Sequence, residues 1–240
     1  MTPVAIVIGA GDATGGAIAR RFTREGLTAV VVRRTASALE PLVATIGAEG
    51  GRAVGIATDA RDEAAMVALF ARVEAEVGPV AVAVFNVGAN VPSPIRDETS
   101  RKYRKIWELV ALAGFLTGRE AARVMVPRGA GTILFTGATA SVRGSAGFAA
   151  FAGAKHALRA LAASMARELG PLGIHVAHVV VDGAIDTDFI RTQFPERYAT
   201  RAEDGILDPD HIAGAYWMLH TQPRDAWTFE LDLRPWTEKF

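Results

Sequence analysis

Three glycines, Gly9, Gly11 and Gly15, follow an apolar run from Val4 to Ile8 and lead into a segment of helical period. From Ala17 onward Ile18, Ala19, Phe22 and Leu27 fall on one side, with Arg20, Arg21, Arg24 and Glu25 on the other, so a strand passes through a glycine turn into a helix. The chemistry such a turn supports is phosphate binding. Gly9 permits the tight turn, Gly11 keeps a Cβ out of a pyrophosphate's path, Gly15 lets the helix approach closely, and free N–H groups at the helix start face the anion. The third glycine comes one position later than in G-x-G-x-x-G, so the rest of the chain must carry the assignment.

Other residue types narrow the chemistry. There is no cysteine, which excludes disulfides, thiolate catalysis and Cys-ligated metal. His175 and His178 share a strand pattern without metal-like spacing and read as packed side chains, and His156 points away from its neighbour Lys155 because adjacent helical residues do not share a face. No metal is expected. Charges balance to a formal net charge of zero without a run of one sign, which disfavours nucleic acid or an anionic membrane surface as partner and favours a small molecule. The densest later apolar run, Val80 to Phe85, is far shorter than the ~20 residues of a membrane span. A strand that begins within a few residues of the start, with no export signal ahead of it, points to a cytoplasmic protein.

The elements that must position these residues alternate. After the first strand and helix, Ala29 to Val32 is an apolar strand, a helix runs from about Ser37 to Ile46, and Ala53 to Ala57 is a third strand closed by Asp59. An amphipathic helix from Glu63 to Val77 stops at Gly78-Pro79. Val80 to Phe85 is followed by Asn86-Val87-Gly88 and a long helix from about Ser100 to Val126. Thr132 to Thr136 precedes an alanine-dense helix, Ala149 to Leu169, whose small residues permit close packing. Gly173 to Val181 is a strand, residues 182–208 are irregular with a short helix near Phe189, Pro209 to His220 is helical, and Trp227 to Leu233 is a last strand. Strands without polar alternation, separated by helices, predict a single α/β domain over residues 1–240: a doubly wound parallel sheet with helices on both faces and ligands at the carboxyl ends of the strands. The aromatic tail, Tyr216-Trp217, Trp227 to Phe229 and Trp236 to Phe240, suggests a subunit seam or a substrate lid.

With Asn86-x-Gly88 and Lys155 added to the glycine loop, the chain resembles the short-chain dehydrogenase/reductase family across nearly its whole length. The loop Ile8 to Gly15 looks like the family's Thr-Gly-x-x-x-Gly-x-Gly, with Ile8 and Ala13 as departures. The resemblance implies a Rossmann-type sheet of seven parallel strands, a nicotinamide cofactor, and a homodimer or homotetramer. It implies a cofactor-binding set of Gly9, Gly11, Thr14, Gly15, Arg33, Arg34, Asp59, Asn86, Gly88, Lys155 and Thr187. Within that set Asp59 would hold the adenine, Lys155 the nicotinamide ribose and Thr187 the carboxamide. Arg33-Arg34 stand at the end of the second strand, where an aspartate would exclude a 2′-phosphate, so NADP(H) is favoured over NAD(H); Asp12 argues mildly the other way.

Against the family pattern three chemical groups are missing. Phe151 stands at the position of the tyrosine acid, Ala138 at that of the serine, and Ala111 at that of the asparagine that holds a relay water. A phenyl ring has no proton to give, and loss of a general acid costs about 10²–10⁴ in rate. Phe148 occupies the position of the enoyl reductases' tyrosine, so that variant of the chemistry is not restored either. The candidate catalytic residues are then Lys155 and Asp182, the latter next to Gly183 where the family has Pro-Gly; Thr139, Ser141 and Asn90 are further polar groups of the rim. Two functions stay open: an NADP(H)-dependent oxidoreductase with an atypical site acting on a carbonyl, alcohol or activated alkene, and a non-catalytic NADP(H)-binding sensor or structural subunit.

Overall fold

A computed structural model describes residues 1–239; Phe240, the last residue of the aromatic tail, lies outside them. Seven strands form one sheet: β1 (Val4–Ile8), β2 (Thr28–Arg33), β3 (Arg52–Ala57), β4 (Val80–Phe85), β5 (Gly131–Thr136), β6 (Ile174–Val181) and β7 (Glu230–Leu233). Their spatial order is β3-β2-β1-β4-β5-β6-β7, and every neighbouring pair is parallel. The order reverses between β1 and β4, and at such a point the loops after the two strands diverge and leave a crevice at the carboxyl edge.

The apolar runs follow from burial on both faces. Val4, Ile6 and Ile8 of β1 enter one core, while Ala5 and Val7 enter the other. Since both faces are covered, no position of β1 reaches water, and each fully buried Val or Ile contributes about 1.5–3 kcal/mol. The first core is closed by α3 (Glu63–Arg72), α4 (Ser100–Trp107), α5 (Ala113–Met125) and α6 (Ala149–Leu169), and the second by α1 (Thr14–Arg24), α2 (Glu40–Ala48) and α9 (Pro209–His220). Two short helices, α7 (Asp188–Gln193) and α8 (Pro195–Ala199), occupy the segment read as irregular from sequence. Side-chain caps by Asp62, Thr99, Thr187 and Asp208 start α3, α4, α7 and α9, each worth about 0.5–2 kcal/mol.

The long helix expected from Ser100 to Val126 is divided. A π turn, Glu108–Leu112, joins α4 to α5. One extra residue in a turn rotates all that follows by about 100°, which changes the face that α5 presents without ending the helix. The close packing read from the alanine-dense helix occurs against α5. A Cβ added at Gly114 would come 2.3 Å from Leu158 Cδ1, and one at Gly118 2.8 Å from Met165. No helix among the described residues is long and apolar enough to cross a membrane.

Candidate active site

The site begins where β1 and β4 lie side by side. Asn86, the first residue after β4, donates its backbone N–H to Ile8 O at 2.8 Å and its Nδ2 to Gly9 O at 3.1 Å, so it ties the glycine loop to the sheet. Gly9 has φ +85° and its Cβ position lies 2.5 Å from Asn86 O; a Cβ on Gly15 would lie 2.4 Å from Gly9 O. Gly9 is therefore fixed by the backbone that follows β4, and Gly15 by the turn of the loop beneath it. Gly15 packs on Gly9 and Ala10, which continue β1, and on the Asn86 side chain, so the start of α1 lies close to the carboxyl ends of β1 and β4. Gly16, which the sequence reading passed over, is equally constrained, with Gly11 O 2.7 Å from its Cβ position. Gly11 differs, since nothing lies within 4 Å of its Cβ position. The start of α1 carries no side-chain cap and no acid in its first turn, so the positive end of the helix dipole faces outward.

Two cavities lie along this edge, and both include Val87 and Gly88 in their walls. The smaller, about 260 Å³, is bounded by Gly9, Arg33, Arg34, Ala38, Thr58 and Asp59 among others. The two arginines behave differently. Arg33 donates to Asp12 Oδ1 and to Ala38 O, each at 3.1 Å, and so neutralises the loop acid and pins the loop to the segment after β2. Arg34 has no ion pair among the described residues and lines the cavity. Asp59 is gripped by Arg61, whose Nε and Nη2 reach its two oxygens at 3.0 and 2.5 Å. The Arg61 guanidinium, with a smaller contribution from Arg34, holds the Asp59 carboxyl below its ordinary range.

The larger cavity, about 500 Å³, gathers Thr14, Asn86, Asn90, Ala138, Thr139, Arg143, Phe148, Phe151 and Lys155. Lys155 is buried on α6 and donates from Nζ to Thr136 O at 2.6 Å and to Val87 O at 3.2 Å. Burial pushes its ammonium down to about 7. The Phe151 ring lies on the preceding turn of α6 with its centroid 5.8 Å from Nζ. Ala138, Phe151 and Lys155 thus face one space, and neither Ala138 nor Phe151 brings a hydroxyl to it. Ala111 lies in the π turn and is nearly buried.

Two candidates from the sequence are placed outside this wall. Thr187 caps α7, its Oγ1 accepting from Ile190 N at 3.1 Å, and borders a separate cavity with Asp12, Ala13 and Arg20. Asp182 is 4 % exposed, and its flanking residues Val181 and Gly183 form the wall instead. The Asp182 carboxylate accepts from Thr139 Oγ1, and Arg234 Nη1 stands 3.6 Å away. Asp182 therefore links the loop after β5 to the segment after β7. Ser141, fully buried, accepts from Ala138 N at 3.1 Å and fixes the same loop from within. His175 and His178 are buried in β6 and His156 is exposed on α6. No cluster of metal ligands occurs among the described residues.

A parallel sheet with a glycine turn at its switch point and a lysine-lined cleft beside it defines a Rossmann-type protein with a candidate oxidoreductase site. A sequence profile described as short chain dehydrogenase matches residues 3–197. The short-chain reductase protein NovJ of Streptomyces niveus is 33% identical over 240 aligned residues, covering 97% of this chain and 87% of its own. A short-chain dehydrogenase of known structure from Rhodopseudomonas palustris is 48% identical, with TM-score 0.84 and coverage of 98% of this chain and 99% of that one. A metagenomic short-chain oxidoreductase solved with NADP is 27% identical, with TM-score 0.84 over 97% of both chains. The chain belongs to the short-chain dehydrogenase family of oxidoreductases.

Proposed function

We propose that this protein is an NADP(H)-dependent oxidoreductase that acts on a small carbonyl, alcohol or activated alkene and that its proton source is Lys155. The observation that carries this reading is the pair of neighbouring cavities that share Val87 and Gly88 in their walls: Arg34, without an ion pair among the described residues, lines one and the buried Lys155 lines the other. The open approach at Gly11 and the uncapped start of α1 fit a pyrophosphate. Arg34 is free to meet a 2′-phosphate, while Arg33 removes the repulsion that Asp12 would exert on it.

The bound nicotinamide would supply or accept a hydride. The chain itself must hold the substrate, exclude water and handle one proton. Phe151 and Phe148 supply an apolar wall, and Thr139 and Asn90 supply polar contacts at the rim. Lys155 Nζ is held on two carbonyl oxygens, and an ammonium has three N–H donors, so one remains beyond those two contacts. Burial brings its titration close to neutrality, where an acid works best.

Titration of the protein with NADPH and NADH, followed by cofactor fluorescence, tests the cofactor half. Arg34→Ala should weaken NADPH binding about tenfold or more and leave NADH binding nearly unchanged, because a charge-assisted phosphate contact contributes about 1.5–3 kcal/mol. Equal losses for both cofactors would remove the argument for NADP. The catalytic half is tested by NADPH oxidation against ketones, aldehydes, quinones and enoyl thioesters; binding without turnover on every substrate would make the protein a sensor or structural subunit. For any substrate reduced slowly by the natural protein, the double substitution Ala138→Ser with Phe151→Tyr should raise kcat by about 10² or more. No gain would mean that the cavity is not organised around the missing hydroxyls.

A further inference from the structure

Among the described residues, Arg143 is the only charged residue besides Lys155 on the wall of the 500 Å³ cavity, and no acid lines it. Arg143 makes no ion pair among the described residues, whereas Arg33, which borders the neighbouring cavity, is paired to Asp12. Its backbone is firmly set. Arg143 N donates to Thr139 O at 3.0 Å, Ser141 N to Ala138 O at 2.7 Å, and Ala138 N to Ser141 Oγ at 3.1 Å. The Thr139 hydroxyl is in turn anchored on Asp182. Arg143 is exposed at the rim of the cavity, and its guanidinium has a planar fork that matches a carboxylate with two parallel hydrogen bonds. Ala138, Ala140, Phe148 and Phe151 give the wall an apolar part that suits a ring or short hydrocarbon body, beside uncharged polar residues such as Asn90 and Thr139.

We propose that Arg143 makes this cavity selective for substrates bearing a carboxylate, with the acid group on Arg143 and the reacting carbon toward Lys155. This rests on the reading of the cavity as the substrate site of an NADP(H)-dependent oxidoreductase. It predicts discrimination by charge between ligands of nearly the same shape.

Benzoate and benzamide are the probes, because they share a ring and differ in the charged group. Calorimetric titration of each is made on the protein alone and on the protein saturated with NADP⁺. Benzoate should bind at least tenfold more tightly than benzamide to the natural protein, Arg143→Gln should bind the two alike, and Arg143→Lys should keep part of the preference. Equal affinities in the natural protein, or a benzoate preference that survives Arg143→Gln, would overturn the proposal. Tighter binding of phenyl phosphate than of benzoate would overturn it too, since the site would then be built for phosphate. Failure of NADP⁺ to bind would instead refute the cofactor reading, and the arginine comparison on the protein alone would still decide the carboxylate preference.

Discussion

Gly15→Ala should cost the protein much of its stability, while Gly11→Ala should leave stability intact and abolish cofactor binding. The two positions lie in one loop and differ in what surrounds them. A Cβ at Gly15 would sit 2.4 Å from Gly9 O and 2.8 Å from Ala10 Cα, both backbone atoms that cannot turn aside. Relief requires α1 to move away from β1, against the packing of Ile18 and Phe22, which are fully buried. Overpacking costs about 1–3 kcal/mol where side chains can yield, and more is expected against backbone. At Gly11 the space is open and the backbone is not left-handed, so alanine fits and restricts the unfolded chain, a gain of about 0.4–1 kcal/mol. That same methyl group would project where a phosphate must approach. Thermal unfolding and an NADPH titration on the two variants separate the effects. An unaltered NADPH affinity in Gly11→Ala would show that the loop is not the phosphate seat.

Lys155→Met should eliminate turnover and also change how stability responds to pH. The Lys155 amine titrates near 7 in the folded chain and at its ordinary 10.5 in the unfolded one. Between those values the unfolded chain binds more protons than the folded one, so stability rises with pH, by about 1.4 kcal/mol per unit at most. Below pH 7 both states are protonated and the burial penalty is fully present. Above pH 10 the fully buried Tyr216, whose titration burial pushes upward, opposes the trend because the unfolded phenol ionises first. Denaturant unfolding of the protein without cofactor, from about pH 7 to 9.5, should therefore show a climb that Lys155→Met lacks. Parallel curves for the two proteins would place the titration elsewhere and remove the support for Lys155 as the acid.

The fold was largely legible because its signals are local. A short, β-branched apolar run bounded by glycine, such as Val4 to Ile8, suits a strand covered on both sides. Turn and cap residues such as Gly78-Pro79 and Asp208-Pro209 mark helix limits within a few positions. The π turn at 108–112 was not legible, because its residues are ordinary helix formers and only the hydrogen-bond register differs. At the site, the residue types were readable but their partners were not. Arg33 and Arg34 look equivalent in sequence; the distinction lies in Asp12, 21 positions away, which engages one of them. Asp182 stands beside Gly183 and invites a catalytic role, yet its ties run to Thr139, 43 positions away, and to Arg234 on the far side of β7. Arg61, two residues after Asp59, carried a short-range signal that an acid-arginine spacing search would have found. Arg143 carried none, since an arginine in a polar loop gains meaning only from the wall it joins.

The loop after β5 is held by some residues and faces the cavity with others, Gly137 and Thr139 doing both. Ser141 and the Thr139–Asp182 contact fasten it, and Gly137 seats it against His178, whose Nε2 would be 2.4 Å from a Cβ at that glycine. Ala138, Ala140 and Arg143 look into the open space. Most exchanges at those three positions leave the fastenings untouched, so ligand preference can drift through successive substitutions while the scaffold stays folded. The same arrangement makes this wall a practical place to redirect the protein by mutagenesis, with Gly137, Ser141 and Asp182 as the residues to leave alone.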